Sequence, residues 1–399
     1  MKKSVLLIWT LILVDLISGL LLILQWPFAR IGLILKGLVI VFVFVTYLTR
    51  LRQKTFSSIY ASMAILFLFW ALGFVVSFFN YSDFDAGESL VVLNRYFFFL
   101  IMSCAFVDWS DNDSFSEDCK RIFETFFIIN NAFIFIGFLF KIKMLSTYDP
   151  YGEYGEGWRF GYKGLIWGQN AVAAIYTLGI AYFFRERFLY QQSKTIMLVT
   201  TCIAAILVGT KATLLTLFLI GGYYLYTYRV KTLILLIFPA LAGLTYFIIL
   251  YWQILQDKYL SFLVEKYKTM DFYAFLTSGR SDYLSKTTVY VSEHWNLLNY
   301  ITGDAFSYIE MDFFDLYFYF GVASLIYLYV YIKIFFIKDT SRSNIYFFVV
   351  WMAMAFVAGH IINSAVVPIF FLLFVFSARA RKTETQEYRF NSLNLKHEI

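Results

Sequence analysis

The sequence predicts an all-α, polytopic integral membrane protein with about twelve transmembrane helices and a long extracytoplasmic loop between spans 9 and 10. Three observations carry that expectation. The 399 residues are 60% hydrophobic and 15% charged with a mean hydropathy of +0.68, more apolar side chain than a soluble core can hide. Apolar runs of about twenty residues, enough to cross a bilayer, recur along the chain. Basic residues gather at alternate junctions between these runs, as the positive-inside rule requires.

Taken in order, the runs place helices near 4–25, 31–49, 57–79, 89–107, 121–141, 167–184, 195–209, 212–228, 232–251, 312–337, 344–360 and 364–378. The first resembles a signal peptide after Met1-Lys2-Lys3. However, Pro27 and Arg30 stand where a small-residue cleavage site belongs and a second run follows at once, which favours a retained helix. Asp15 and Lys36 fall in the first two runs, where they can face each other, and Arg95 lies in the outer part of the fourth.

With the N-terminus in the cytoplasm, the inner junctions carry Arg50, Arg52 and Lys54, then Arg185, Arg187 and Lys194, then Arg229 and Lys231, then Lys338 and Arg342, and finally Arg379, Arg381 and Lys382. The junction from Asp108 to Lys120 is acidic instead, and acidic residues weigh little in this rule. Segments 142–166 and 252–311 then lie outside, and Trp252 to Met270 has the mixed character of an interfacial amphipathic helix. Without a visible repeat or linker, residues 1–381 read as a single membrane domain and 382–399 as a polar cytoplasmic tail. Cys104, Cys119 and Cys202 lack metal or redox spacing and read as packing residues. The net charge of +6 is an orientation signal and does not imply nucleic-acid binding.

Polar chemistry concentrates in four places on the expected outer side. The stretch Tyr148 to Lys163 mixes tyrosines and glycines with Arg159 and Lys163, a composition suited to stacking on sugar rings and holding an anion; an interfacial aromatic belt is the plainer alternative. Gly209-Thr210-Lys211 breaks two apolar runs, and the run before it covers only roughly 21 Å, so Lys211 is expected to sit recessed in the membrane unless it snorkels out. Thr277-Ser278-Gly279-Arg280-Ser281-Asp282 is turn-like, with Arg280 free to grip phosphate or to pair with Asp282.

The fourth place is Glu310-Met311-Asp312-Phe313-Phe314-Asp315, where three carboxylates enter a span. Asp312 can cap that helix, and any of the three can serve as a general base. His360 follows Gly359 at the outer end of a late span, where a packed neutral histidine is the ordinary outcome. Asp111-Asn112-Asp113 imitates a metal-binding signature but sits on a short inner loop without a globular domain.

In order and spacing these motifs resemble the O-antigen polymerase (Wzy) and O-antigen ligase (WaaL) superfamily of bacterial membrane glycosyltransferases, over the chain from Trp158 to Leu373. Trp158-Arg159-Phe160-Gly161 followed by Gly168-Gln169-Asn170 is similar to the family's arginine-bearing outer loop and helix entry. Gly209-Thr210-Lys211-Ala212-Thr213-Leu214-Leu215 looks like its G-S-R-x-x-L-L hairpin with lysine for arginine, and Ser278-Gly279-Arg280 matches its S-G-R. Glu310 to Gly321 parallels a segment that opens on histidine in many members, and Glu310 takes that place here.

The resemblance implies a multi-pass enzyme of the bacterial plasma membrane that polymerises oligosaccharide repeat units carried on undecaprenyl diphosphate at the outer face, without metal or other cofactor. Its implied partners are the lipid-linked oligosaccharides and membrane lipid, with a flippase and a chain-length regulator as possible companions. Within that expectation Arg159, Lys163, Lys211, Arg280 and His360 are the substrate-binding candidates. Glu310, Asp315 and Asp312 are the catalytic candidates, with Glu310 or Asp315 taking the proton from the acceptor hydroxyl. A ligase of the same superfamily and a lipid-linked oligosaccharide flippase are the rival readings.

Overall fold

The computed structural model describes residues 2–23, 31–48, 54–81, 84–112, 114–148, 160–228, 277, 279–305, 309–357, 359, 361–364 and 366–378. Among them the regular structure is helical, and the one β contact is an isolated antiparallel bridge between Ser146 and Tyr162. We number the helices α1 (Lys3–Ile23), α2 (Ile31–Leu48), α3 (Lys54–Asn80), α4 (Ala86–Trp109), α5 (Phe115–Phe140), α6 (Gln169–Phe184), α7 (Thr195–Val208), α8 (Lys211–Thr227), α9 (Arg280–His294), α10 (Leu297–Thr302), α11 (Asp312–Phe320), α12 (Ser324–Phe335), α13 (Arg342–Val357) and α14 (Val367–Phe376).

Five helical stretches are long and apolar enough to cross a membrane: Lys3–Leu22, Ser58–Asn80, Ala86–Trp109, Phe115–Phe140 and the α11–α12 unit Asp312–Phe335. Helices α7, α13 and α14 are apolar but shorter. The expected twelve full spans are therefore not reached among the described residues, and the ninth expected span, 232–251, lies outside them. The bundle exterior is apolar, with Leu13, Phe42, Phe67 and Leu325 among its exposed side chains, as a lipid-facing surface requires.

Side-chain pairs set the directions of the helices. Thr177 meets Thr216 and Phe184 meets Tyr224, so α6 and α8 run parallel. Tyr223 stacks on Tyr346 at 4.3 Å while Thr216 meets Met354, so α8 and α13 run antiparallel. Phe99 packs on Phe371 and Phe106 on Phe376, which makes α4 and α14 parallel. Consequently α4, α6 and α8 begin on the face where α13 ends, and Gly359, just past α13, abuts Glu310 just before α11. This common side is the site face.

Two departures from the expected spans shape that face. The single span expected over 364–378 is α14, a ten-residue half-helix whose every residue is buried. Matching Phe371 to Phe99 places its start roughly 14 Å below the start of α4. The span expected over 312–337 breaks at Gly321, where a 3-10 turn, Gly321–Ala323, separates α11 from α12.

The segment expected to form the long outer loop, 252–311, also differs from expectation. Within its described part, α9 lies next to α10, and α10 re-enters the bundle against α3. A Cβ on Gly73 of α3 would meet the Gly303 carbonyl at 2.9 Å, so only glycine permits this approach. Asp304 is fully buried behind it, accepting from the Trp295 indole at 3.3 Å while its backbone N–H donates to the Phe318 carbonyl at 2.9 Å. The Trp252 to Met270 segment and the tail from 382 lie outside the described residues.

Candidate functional site

The site is built around the entry to α11. Met311 is extended and Glu310 adopts a left-handed conformation, φ 60°, that non-glycine residues rarely accept. Two carboxylates of the helix that follows hold backbone near it, one just before Glu310 and one in the 361–363 segment. Asp315 Oδ1 accepts the Ile309 N–H at 2.6 Å. Asp312 accepts from three successive backbone amides: Ile361 at 2.7 Å and Ile362 at 2.8 Å on Oδ2, and Asn363 at 3.3 Å on Oδ1.

These contacts revise two of the catalytic candidates. Asp312 is fully buried and serves the 361–363 backbone of the break before α14; it does not cap its own helix. Non-helical backbone at membrane depth needs such partners, because lipid offers none. Asp315, 1% exposed, holds the chain before Glu310, and its second oxygen is buried without a hydrogen-bond partner. Glu310, with a half-exposed side chain, is the carboxylate left facing outward.

Arg280 opens α9 behind a left-handed Gly279. Its Nη2 donates to Glu310 Oε2 at 2.9 Å and its Nη1 to the Thr277 carbonyl at 3.2 Å. The pairing with Asp282 considered from sequence is replaced by this longer-range one, thirty residues apart. Trp295, Ile309, Met311 and Phe318 form a small apolar cluster beneath α9, which fixes α9 over the start of α11.

Lys163 and Lys211 flank the beginnings of α6 and α8. The turn at 163–165 is tied to α5, where Asn130 Oδ1 accepts the Leu165 N–H at 2.8 Å and Asn130 Nδ2 donates to the Tyr176 hydroxyl at 3.1 Å. Lys163 lies over the Trp167 ring at 4.5 Å, and burial pushes its ammonium down to about 8.

The α7–α8 corner docks on the same loop: Tyr162 N–H donates to the Leu207 carbonyl at 2.8 Å, and Thr147 Oγ1 to that of Val208 at 3.0 Å. Gly209 closes α7 in the left-handed region and Thr210 caps α8, accepting from Thr213 N–H at 3.3 Å. Lys211 starts α8 with its side chain exposed on the protein surface.

The structure thus joins Arg280 to Glu310 directly, and it places Lys163 and Lys211 on the same face. Arg159, His360 and Ser278 lie outside the described residues. Sequence reasoning missed Asn130, Trp295, Asp304 and Gly359. The Asn130-Asn131 pair inside an apolar run was the clearest available signal, and the others depend on contacts across long separations. Among the described residues no cluster of His, Cys, Asp and Glu has the makings of a metal site. Asp15 and Lys36 do form an ion pair between α1 and α2. Compared with protein-family models, curated sequences and solved structures, the chain matches none.

Proposed function

We propose that the protein is a polysaccharide polymerase of the outer plasma-membrane face, transferring oligosaccharide repeat units between undecaprenyl-diphosphate carriers. The observation that carries the reading is the pairing of Arg280 with Glu310 at the entry to α11, on the face where α6 and α8 begin and where Lys163, in the loop before α6, and Lys211, at the start of α8, lie. A cation beside a half-exposed carboxylate is what transfer from a lipid diphosphate needs. The guanidinium stabilises charge on the departing diphosphate while the carboxylate takes the proton of the attacking hydroxyl. The C1–O bond to the diphosphate breaks as the new glycosidic C–O bond forms.

Arg280→Ala or Lys211→Ala, introduced into cells lacking the native gene, is expected to abolish long polymer while the protein stays in the membrane. Polymer length on a gel checks this, and unchanged ladders would sink the assignment. Loss of a ligase would instead leave long polymer made but still attached to its lipid carrier. The buried break before α14 favours one further reading, since discontinuous helices are common in transporters. Lipid-linked single units accumulating on the inner face of a deletion strain would favour a flippase, and on the outer face a polymerase.

A further inference from the structure

The Arg280–Glu310 pair is unequal in a way that bears on how the site takes its ligand. Arg280 is the buried partner, 14% exposed, and Glu310 the accessible one at 47%. On the guanidinium, Glu310 Oε2 takes Nη2. The neighbouring Nε is buried with no acceptor, and Nη1 is already used by the Thr277 carbonyl. The edge of a guanidinium formed by Nε and Nη2 presents two parallel N–H donors, a match for two oxygens of one phosphoryl group. A single carboxylate oxygen leaves half of that edge unsatisfied.

The mainchain around Glu310 is braced, while its side chain projects outward. Asp315 holds Ile309, and Gly359 presses on the Glu310 backbone so closely that a Cβ there would overlap its carbonyl. These contacts brace the main chain, whereas the Glu310 side chain reaches Arg280 from a half-exposed position.

We infer that Glu310 is an internal stand-in for a phosphoryl oxygen on Arg280: a lipid diphosphate displaces it, takes the Nε–Nη2 edge, and separates the Glu310 carboxylate from the guanidinium. The inference rests on the proposed function for the identity of the ligand. It adds an order of events, in which Glu310 leaves Arg280 only where a diphosphate takes its place.

The test is binding of farnesyl diphosphate to the full-length protein in phosphatidylcholine nanodiscs, followed by thermophoresis. Glu310→Gln and Glu310→Ala remove the competitor and are expected to tighten binding about 3- to 10-fold, while Arg280→Ala weakens it about 10-fold or more. Arg280→Lys, which keeps the charge but loses the fork, should fall between and serves if Arg280→Ala does not fold. Unchanged or weaker binding in both Glu310 variants overturns the exchange, as does undiminished binding in Arg280→Ala, or no binding by any form.

Replacing the lipid with phosphatidylglycerol identifies the phosphate source. Competition that depends on Arg280 supports the exchange with a bilayer headgroup as occupant, and no competition supports it with the diphosphate carrier. Tightened binding in Glu310→Gln together with normal polymer in Arg280→Ala cells would refute the polymerase and leave the exchange standing.

Discussion

Asp312 and Asp315 lie three residues apart on one face of α11, yet their oxygens serve different stretches of chain, 361–363 and 309. Removing the acceptor at 312 strands backbone amides in a water-poor interior. Asp312→Ala is expected to lower stability by about 2–4 kcal/mol, read as a drop in melting temperature in detergent. Gly359→Ala drives a methyl into the Glu310 backbone and should cost on the order of 1–3 kcal/mol.

Lys163 supplies a pH dependence. Its ammonium is charged below about 8 and neutral above, so farnesyl diphosphate binding should weaken as pH rises through that value. Lys163→Arg should flatten the profile. In stability the sign is opposite. Burial of the charge penalises the fold below about 8, and the penalty fades as pH climbs from there toward the ordinary 10.5.

Among the elements, α14 has the most unusual position, a ten-residue helix enclosed by α4, α5 and α6. Its C-terminal end is held from α6, where Arg185 Nη2 donates to the Phe374 carbonyl at 3.3 Å and to Ser377 Oγ at 2.9 Å, with the guanidinium over the Phe374 ring at 4.5 Å. Cations at a helix C-terminus answer its unpaired carbonyls. Arg185→Ala should therefore destabilise by about 2–3 kcal/mol. Because Arg185 sits at the opposite end of α6 from the site face, diphosphate affinity in the folded fraction should be unchanged, which separates this effect from those at Arg280. The sequence showed Arg185 as one more inner basic residue, since positional charge counting is blind to a carbonyl nearly two hundred residues away.

Over the whole molecule, α1 packs on α5 and α2 on α4, and an ion pair, Asp15 to Lys36, ties α1 to α2 inside the apolar region. Breaking a buried pair from one side leaves an uncompensated charge. Asp15→Asn or Lys36→Met alone should lower the melting temperature more than the double variant, and a double-mutant cycle measures the coupling.

Composition and run length by themselves determined the class: an all-helical chain built for lipid, with its polar chemistry at few junctions and Arg280, Glu310 and Lys211 among its bearers. These follow from local properties, since apolar length and charge placement are readable one segment at a time. Only the tertiary structure decided which carboxylate faces outward, because Asp312 and Asp315 are claimed by backbone amides of other segments and Glu310 by Arg280. It likewise decided that the segment before α11 re-enters the bundle at α10 and that α14 is a half-helix. The first goes with the close approach of Gly73 to Gly303 and the second with the Asp312 bonds to the 361–363 amides, contacts between residues far apart in sequence that meet only after the helices have packed.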